Sequence, residues 1–245
     1  MPVILEAWKA LRRQPVALLG YLAAAMLVVG PIYFSDAWVS GAYPKEALPG
    51  WLPLLSTAQD VLLLLGVSAA QALFFAMVGR EMDRPLWRCS GHRDALSRFF
   101  VVWLLANGII VLLIRVQVRA AVANLPELVV FLELLNFFAT ILLPMLAASV
   151  MYQGRLVWSQ LGEAFAPFLQ FPGLVFPVIF VHLTAYLTHA ALGGLMAAGG
   201  LSPMAQTLLI LPVAFLDILA FAAMWRVCMH QRDHGSRPDA DPYDF

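Results

Sequence analysis

Charge is scarce in this sequence. Asp, Glu, Lys and Arg make up 12% of its 245 residues, about half the share carried by a soluble domain. Fifteen basic residues balance fifteen acidic ones, and without a basic excess the electrostatic footprint of a nucleic-acid binder is missing. Two cysteines, Cys89 and Cys228, are too few for a disulfide framework. The chain has no His-Glu-x-x-His for a zinc protease, no Gly-x-Ser-x-Gly for a nucleophile elbow and no Gly-x-x-x-x-Gly-Lys for a phosphate loop. The reactions those motifs serve are therefore not indicated. His182 and His189 stand seven residues apart, about 10 Å along a helix, too far to share one metal ion. His92, in the charged segment Cys89-Ser90-Gly91-His92, reads as solvated. The expectation is a non-enzymatic chain with no cofactor, no metal and no nucleic-acid partner.

What the chain has instead is apolar length. Apolar residues make up 62% of it, with a mean hydropathy of +0.81, so its natural partner is the lipid bilayer. A hydrocarbon core of about 30 Å needs roughly 20 apolar residues of helix, because no water is there to satisfy open backbone groups. Charge-free runs extend from 14 to 35, from 61 to 79 and from 99 to 114, and another precedes Arg155, with Glu133 inside the span. Between Glu163 and Asp217 lie 53 residues without a charge, and Gly199-Gly200-Leu201-Ser202-Pro203 divides them into two spans. The predicted fold is an all-α polytopic bundle with spans of about 16–35, 55–79, 99–118, 127–151, 173–197 and 204–226.

Six spans put both termini on one side. That side holds twelve Lys and Arg residues against three on the other, so by the positive-inside rule the termini are cytoplasmic. The competing reading is a signal sequence cleaved near Ser35-Asp36-Ala37. It asks for a shorter apolar core than this one, and it would leave five spans. Residues 1–230 form one transmembrane domain on this reading. The polar, Pro-containing stretch 231–245 is a disordered cytoplasmic tail, and the outer loop 36–53 is irregular.

Amphipathic segments lead into the odd-numbered spans. In residues 3 to 13, Ile4, Leu5, Trp8 and Leu11 share one helical face, while Arg12 and Arg13 lie elsewhere, the pattern of a helix resting in the headgroups. Residues 156 to 168 repeat it, and a segment with Arg93 and Arg98 precedes the third span. Lys9-Ala10-Leu11, Asp94-Ala95-Leu96 and Glu163-Ala164-Phe165 stand before spans one, three and five, with Trp8, Trp87 and Trp158 upstream of them. Either the chain repeats one unit three times, an interfacial helix followed by a hairpin, or interfacial tryptophans recur as they do in membrane proteins generally. Ala23-Ala24-Ala25, Ser68-Ala69-Ala70 and the region from Gly193-Gly194 to Gly199-Gly200 suit close helix packing. Pro144, Pro177 and Pro212 fall inside spans four, five and six.

Ionisable groups at membrane depth cost about 2.5 to 3.5 kcal/mol on insertion scales, so each asks for a partner or a purpose. His182 and Asp217 come out at matching depth on spans five and six, which makes them a natural pair, and Asn107 on span three lies level with them. Asp60, Arg115, Glu133 and His189 lie nearer the far ends of four spans, where one polar pocket could collect them. These residues either line a water-filled or ion-binding cavity or make interhelical hydrogen bonds.

The stretch from Leu142 to Phe168, with its turn Gln153-Gly154-Arg155, the Pro-containing fifth span and the closing Met224-Trp225-Arg226-Val227-Cys228-Met229, resembles bacterial six-span inner-membrane proteins of the YciC-like kind. That resemblance implies an inner-membrane address and a helical bundle, and supplies no catalytic residues. The expected function is accessory, organising lipid or other membrane proteins through the interfacial helices. The alternative is a small transporter or channel built on Asn107, His182 and Asp217. The oligomeric state is left open.

Overall fold

The computed structural model describes residues 2–43, 49–83, 91–154, 161–197 and 201–235. A short amphipathic helix, α1 (Pro2–Arg13), is followed after Gln14 by the long α2 (Pro15–Ala42). The next crossing has three parts: α3 (Leu52–Ala70), a π-helical turn over Gln71–Phe75, and α4 (Ala76–Met82). Then come α5 (His92–Val122), α6 (Pro126–Gln153), the short α7 (Leu161–Gln170), α8 (Pro172–Ala197) and α9 (Pro203–Gly235). Helices α1, α2, α6, α8 and α9 each begin with proline, which costs nothing at a first turn because the N–H it lacks has no intrahelical acceptor there. Gly154, at φ +84°, closes α6 in the left-handed conformation that glycine adopts without strain.

Six of these helices are long and apolar enough to cross a membrane, namely α2, the composite α3–α4, α5, α6, α8 and α9. Their outward faces are apolar all round the bundle: Leu27, Leu62, Leu112, Phe131, Phe176 and Leu208 are all exposed. No water-soluble monomer presents a belt of that extent. The chain is an integral, multi-pass membrane protein.

The crossings form a closed ring, α2 beside α3, then α5, α6, α8 and α9, with α9 returning to pack on α2. We call the end of the ring that carries residues 2, 83, 91, 154 and 235 the terminal end and the other the far end. Packing is densest at the terminal end, where Leu11, Phe75, Phe99, Met151, Met224 and Trp225 are all at most 2% exposed. Close approach there depends on glycine. A Cβ on Gly79 would lie 2.8 Å from the Trp225 ring, and one on Gly20 would lie 2.3 Å from the Phe74 ring. Gly193 and Gly194, expected to bring helices together, have nothing within 4 Å of such an added atom.

Several expected boundaries shift. The outer loop is shorter than predicted, since α2 runs on to Ala42 and α3 starts at Leu52. Residues 231–235, expected in the disordered tail, belong instead to α9, which stays helical to Gly235 and whose Arg232 pairs with Asp83 at 2.6 Å; residues 236–245 lie outside the described residues. The lead-in to the third span is no separate interfacial helix, for Arg93 and Arg98 belong to the first turns of a continuous α5.

The threefold pattern is present in a different register from the one the sequence suggested. Glu6-Ala7-Trp8, rather than Lys9-Ala10-Leu11, matches Asp94-Ala95-Leu96 and Glu163-Ala164-Phe165. Ala7, Ala95 and Ala164 are at most 3% exposed, whereas Trp8, Leu96 and Phe165 are exposed. Three residues on from each apolar position, Leu11, Phe99 and Phe168 pack into the core. Each lead-in also rests on the last helix of the hairpin before it around the ring: α1 on α9, the start of α5 beside Ala76 and Met77 of α4, and α7 on α6. An alanine at the contact lets a surface helix lie close against its neighbour, and the large apolar residue one turn later anchors it.

Candidate functional site

Inside the ring lies a cavity of about 290 Å³ to which all six crossings contribute. Helix α8 lines it with His182, Ala185, Tyr186 and His189, and α9 with Ile210, Val213, Ala214 and Asp217. Helix α5 presents Asn107, Ile110, Val111 and Ile114. On each of these three helices the lining residues recur at i, i+3, i+4 and i+7, which is one face of a helix. Tyr21, Ala25 and Val29 from α2 complete one wall, Leu63, Leu64 and Val67 from α3 a second, and Asn136 and Thr140 from α6 a third.

The polar groups concentrate at the inner limit of this space. Asp217 lies there, and the Tyr21 hydroxyl donates to its Oδ2 across a long 3.5 Å. His182 is 5% exposed and lines both this cavity and a smaller void of about 10 Å³ next to it, about the size of one water molecule. Gln71, Trp103 and Pro144 also border that void, and the Trp103 Nε1 is buried without a hydrogen-bond partner. Asn107 is tied down, its Nδ2 donating to the Ser68 Oγ at 2.9 Å and to the Gln71 Oε1 at 2.7 Å. Gln71 opens the π-helical turn, and such turns re-aim side chains by inserting an extra residue. On the opposite wall, the Asn136 Oδ1 is a buried acceptor with no partner.

Toward the terminal end the cavity is shut by aromatic rings. Phe75 stacks on Phe221 at 4.4 Å and meets Trp103 edge-on at 5.1 Å, and Phe221 leans on Trp225 at 5.5 Å. The floor is therefore an apolar plug with Asp217, His182 and Gln71 set just above it.

The residues singled out from sequence separate into groups. Asn107, His182, Asp217 and His189 all line the one cavity, but the expected pair is absent: no hydrogen bond or ion pair joins His182 to Asp217. Both point at the same space from adjacent helices instead of at each other. The four outer groups do not converge. Arg115 forms a two-pronged ion pair with Asp60, both contacts at 2.5 Å, and adds the Ser56 Oγ at 2.8 Å. His189 belongs to the cavity and Glu133 is exposed on α6. The wide angular spacing of four helices around a ring keeps such groups apart even when they share a depth.

Of the interfacial anchors, Trp8 is 37% exposed and meets Phe215 edge-on at 5.8 Å. Arg12, Arg13 and Arg93 are exposed, and Arg98 pairs with Asp94 at 2.6 Å one turn away. Trp87 and Trp158 lie outside the described residues. Among the described residues no cluster of three His, Cys, Asp or Glu side chains is placed to hold a metal ion.

The sequence reading passed over Tyr21, Gln71, Asn136 and Tyr186, because apart from Asn107 it followed histidines and charged groups. The signal was available, for each is a hydrogen-bonding side chain within an otherwise apolar run. No family model, no curated protein and no solved structure matches this chain.

Proposed function

We propose that this protein binds a small, largely apolar molecule in its central cavity and serves as a small transporter of the inner membrane, without catalysing a reaction. The observation that carries the proposal is the shared lining. All six crossings contribute to one cavity, and ligand sites in membrane transporters lie near the midplane between helices. The walls are mostly Ala, Val, Leu and Ile with a few convergent polar groups, the usual make-up of a small-molecule site. The aromatic plug of Phe75, Trp103 and Phe221 closes one end, so transport requires those rings to part while the far end closes. The inner-membrane address follows the YciC-like layout, and cytoplasmic termini follow the basic residues, with Arg12, Arg13, Arg80, Arg93, Arg226 and Arg232 at the terminal end.

A second, accessory role is supported by the surface helices. Leu5, Phe165 and Leu169 are all about half exposed or more on α1 and α7, and Lys9, Arg12 and Arg13 stand beside the first of them. Such faces suit contact with an anionic leaflet or with another membrane protein.

The transport reading is tested with purified protein in liposomes, measuring flux across a panel of small amphiphiles. Saturable flux is expected for at least one class, and Ala185→Trp, which fills the cavity from α8, is expected to reduce it at least tenfold. Equal flux through wild type and Ala185→Trp overturns the reading.

A further inference from the structure

We infer that the cavity is selective for a lipophilic organic cation, an apolar body carrying one quaternary or protonated amine, held by Asp217. The inference rests on the cavity reading above and specifies its ligand. Among the described residues Asp217 is the sole carboxylate lining the cavity, and no lysine or arginine lines it. Counting histidine as neutral, the lining carries one formal negative charge with nothing of opposite sign beside it.

A carboxylate set among helices in hydrocarbon pairs with a cation or faces water, and an unpaired charge at low dielectric is costly. Among the described residues the one hydrogen bond to this carboxylate is the long one from the Tyr21 hydroxyl. Asp60, Asp83 and Asp94, by contrast, each have an arginine at 2.5 or 2.6 Å. Those three carboxylates are each given a guanidinium, and Asp217 has none among the described residues. A monovalent ligand cation would fill that vacant role.

The rest of the lining agrees. Tyr21 and Tyr186 place aromatic rings on the same cavity, and aromatic rings attract ammonium groups beyond what apolar contact provides. The walls of α2, α3 and α9 offer Ala25, Val29, Val67 and Val213 to an apolar body. An inorganic cation is poorly served by such walls, since it needs several oxygen ligands. A free carboxylic acid or phosphate ester would set its own negative charge against Asp217.

The test is equilibrium dialysis of three probes of matched shape against the full chain in nanodiscs, with empty nanodiscs as the blank for partition into lipid. The probes are phenylbutyl-trimethylammonium, its uncharged all-carbon isostere and the phenylalkyl carboxylate of the same length. Wild-type protein is expected to bind the cation at least tenfold more tightly than the isostere, and the carboxylate least. Asp217→Asn, which keeps shape and removes charge, is expected to abolish the preference, and Ala25→Trp to abolish binding of both.

If cation and isostere bind equally and Ala25→Trp displaces both, the cavity reading stands and the cation inference falls. If no probe binds above the blank, both fall. Cation binding that survives Asp217→Asn also overturns the inference. Should Asp217→Asn not fold, the comparison of the three probes on wild-type protein still decides it.

Discussion

Asn107 shows how a polar side chain is accommodated at membrane depth. Its amide nitrogen bridges α5 to Ser68 and to Gln71 on the neighbouring crossing, which satisfies both of its N–H donors within the protein. Interhelical hydrogen bonds of this kind contribute about 0.6 kcal/mol on average and rarely beyond about 1.7. Asn107→Ala is therefore expected to lower the unfolding free energy in detergent by about 1 kcal/mol, read as a small drop in Tm. The double variant Asn107→Ala with Gln71→Leu is expected to recover part of that loss, because it removes the stranded acceptor as well. An unchanged Tm in the single variant would mean that the bridge does not hold α5 in place. At this scale the sequence grouped Asn107 with His182 and Asp217, and those three line one cavity, joined there by His189, which the sequence had placed with the outer group. It misjudged how they are used, because similar depth on two helices does not fix the direction in which each side chain points.

Among the elements, α4 and α9 come into close local contact at Gly79. Trp225 is fully buried, and its ring lies over Gly79 where any side chain would collide with it. Gly79→Leu is expected to cost about 1 to 3 kcal/mol, the usual penalty for overpacking, and to appear as a lower Tm together with a rise in Trp225 solvent exposure. Unaltered stability would show that the two helices separate more freely than their contact implies. The shape of this crossing also explains what pattern reading missed. A hydropathy window sees residues 52 to 82 as one apolar helix, whereas the π-helical turn at Gln71–Phe75 divides it and sets Gln71 toward Asn107. The interfacial lead-ins were visible as amphipathic stripes, but their register depends on which alanine meets a neighbouring helix, as Ala7 does in α1. Only the packed ring reveals that contact.

For the molecule as a whole, the ring of crossings requires both termini to emerge at one end. Reporter fusions at residue 2 and after residue 235 are expected to report the same compartment, and a reporter inserted at Asn124, in the turn between α5 and α6, the opposite one. Opposite readouts from the two termini would break the topology. The ring also explains why α9 touches more of the structure than any other crossing. It closes the circle against α2, packs on α6 and α8, and supports α1 at the terminal end.

The amino-acid order alone determined the solvent and the number of crossings, because hydrocarbon tolerates only helices with satisfied backbones, and length and apolarity can be counted along the chain. It left open whether the lead-ins to spans one, three and five repeat one unit. Tertiary structure decided which faces of those helices meet. A helix apolar all round carries no mark of its inward side, so the cavity, its aromatic floor and the isolated position of Asp217 arise only when all six close into a ring.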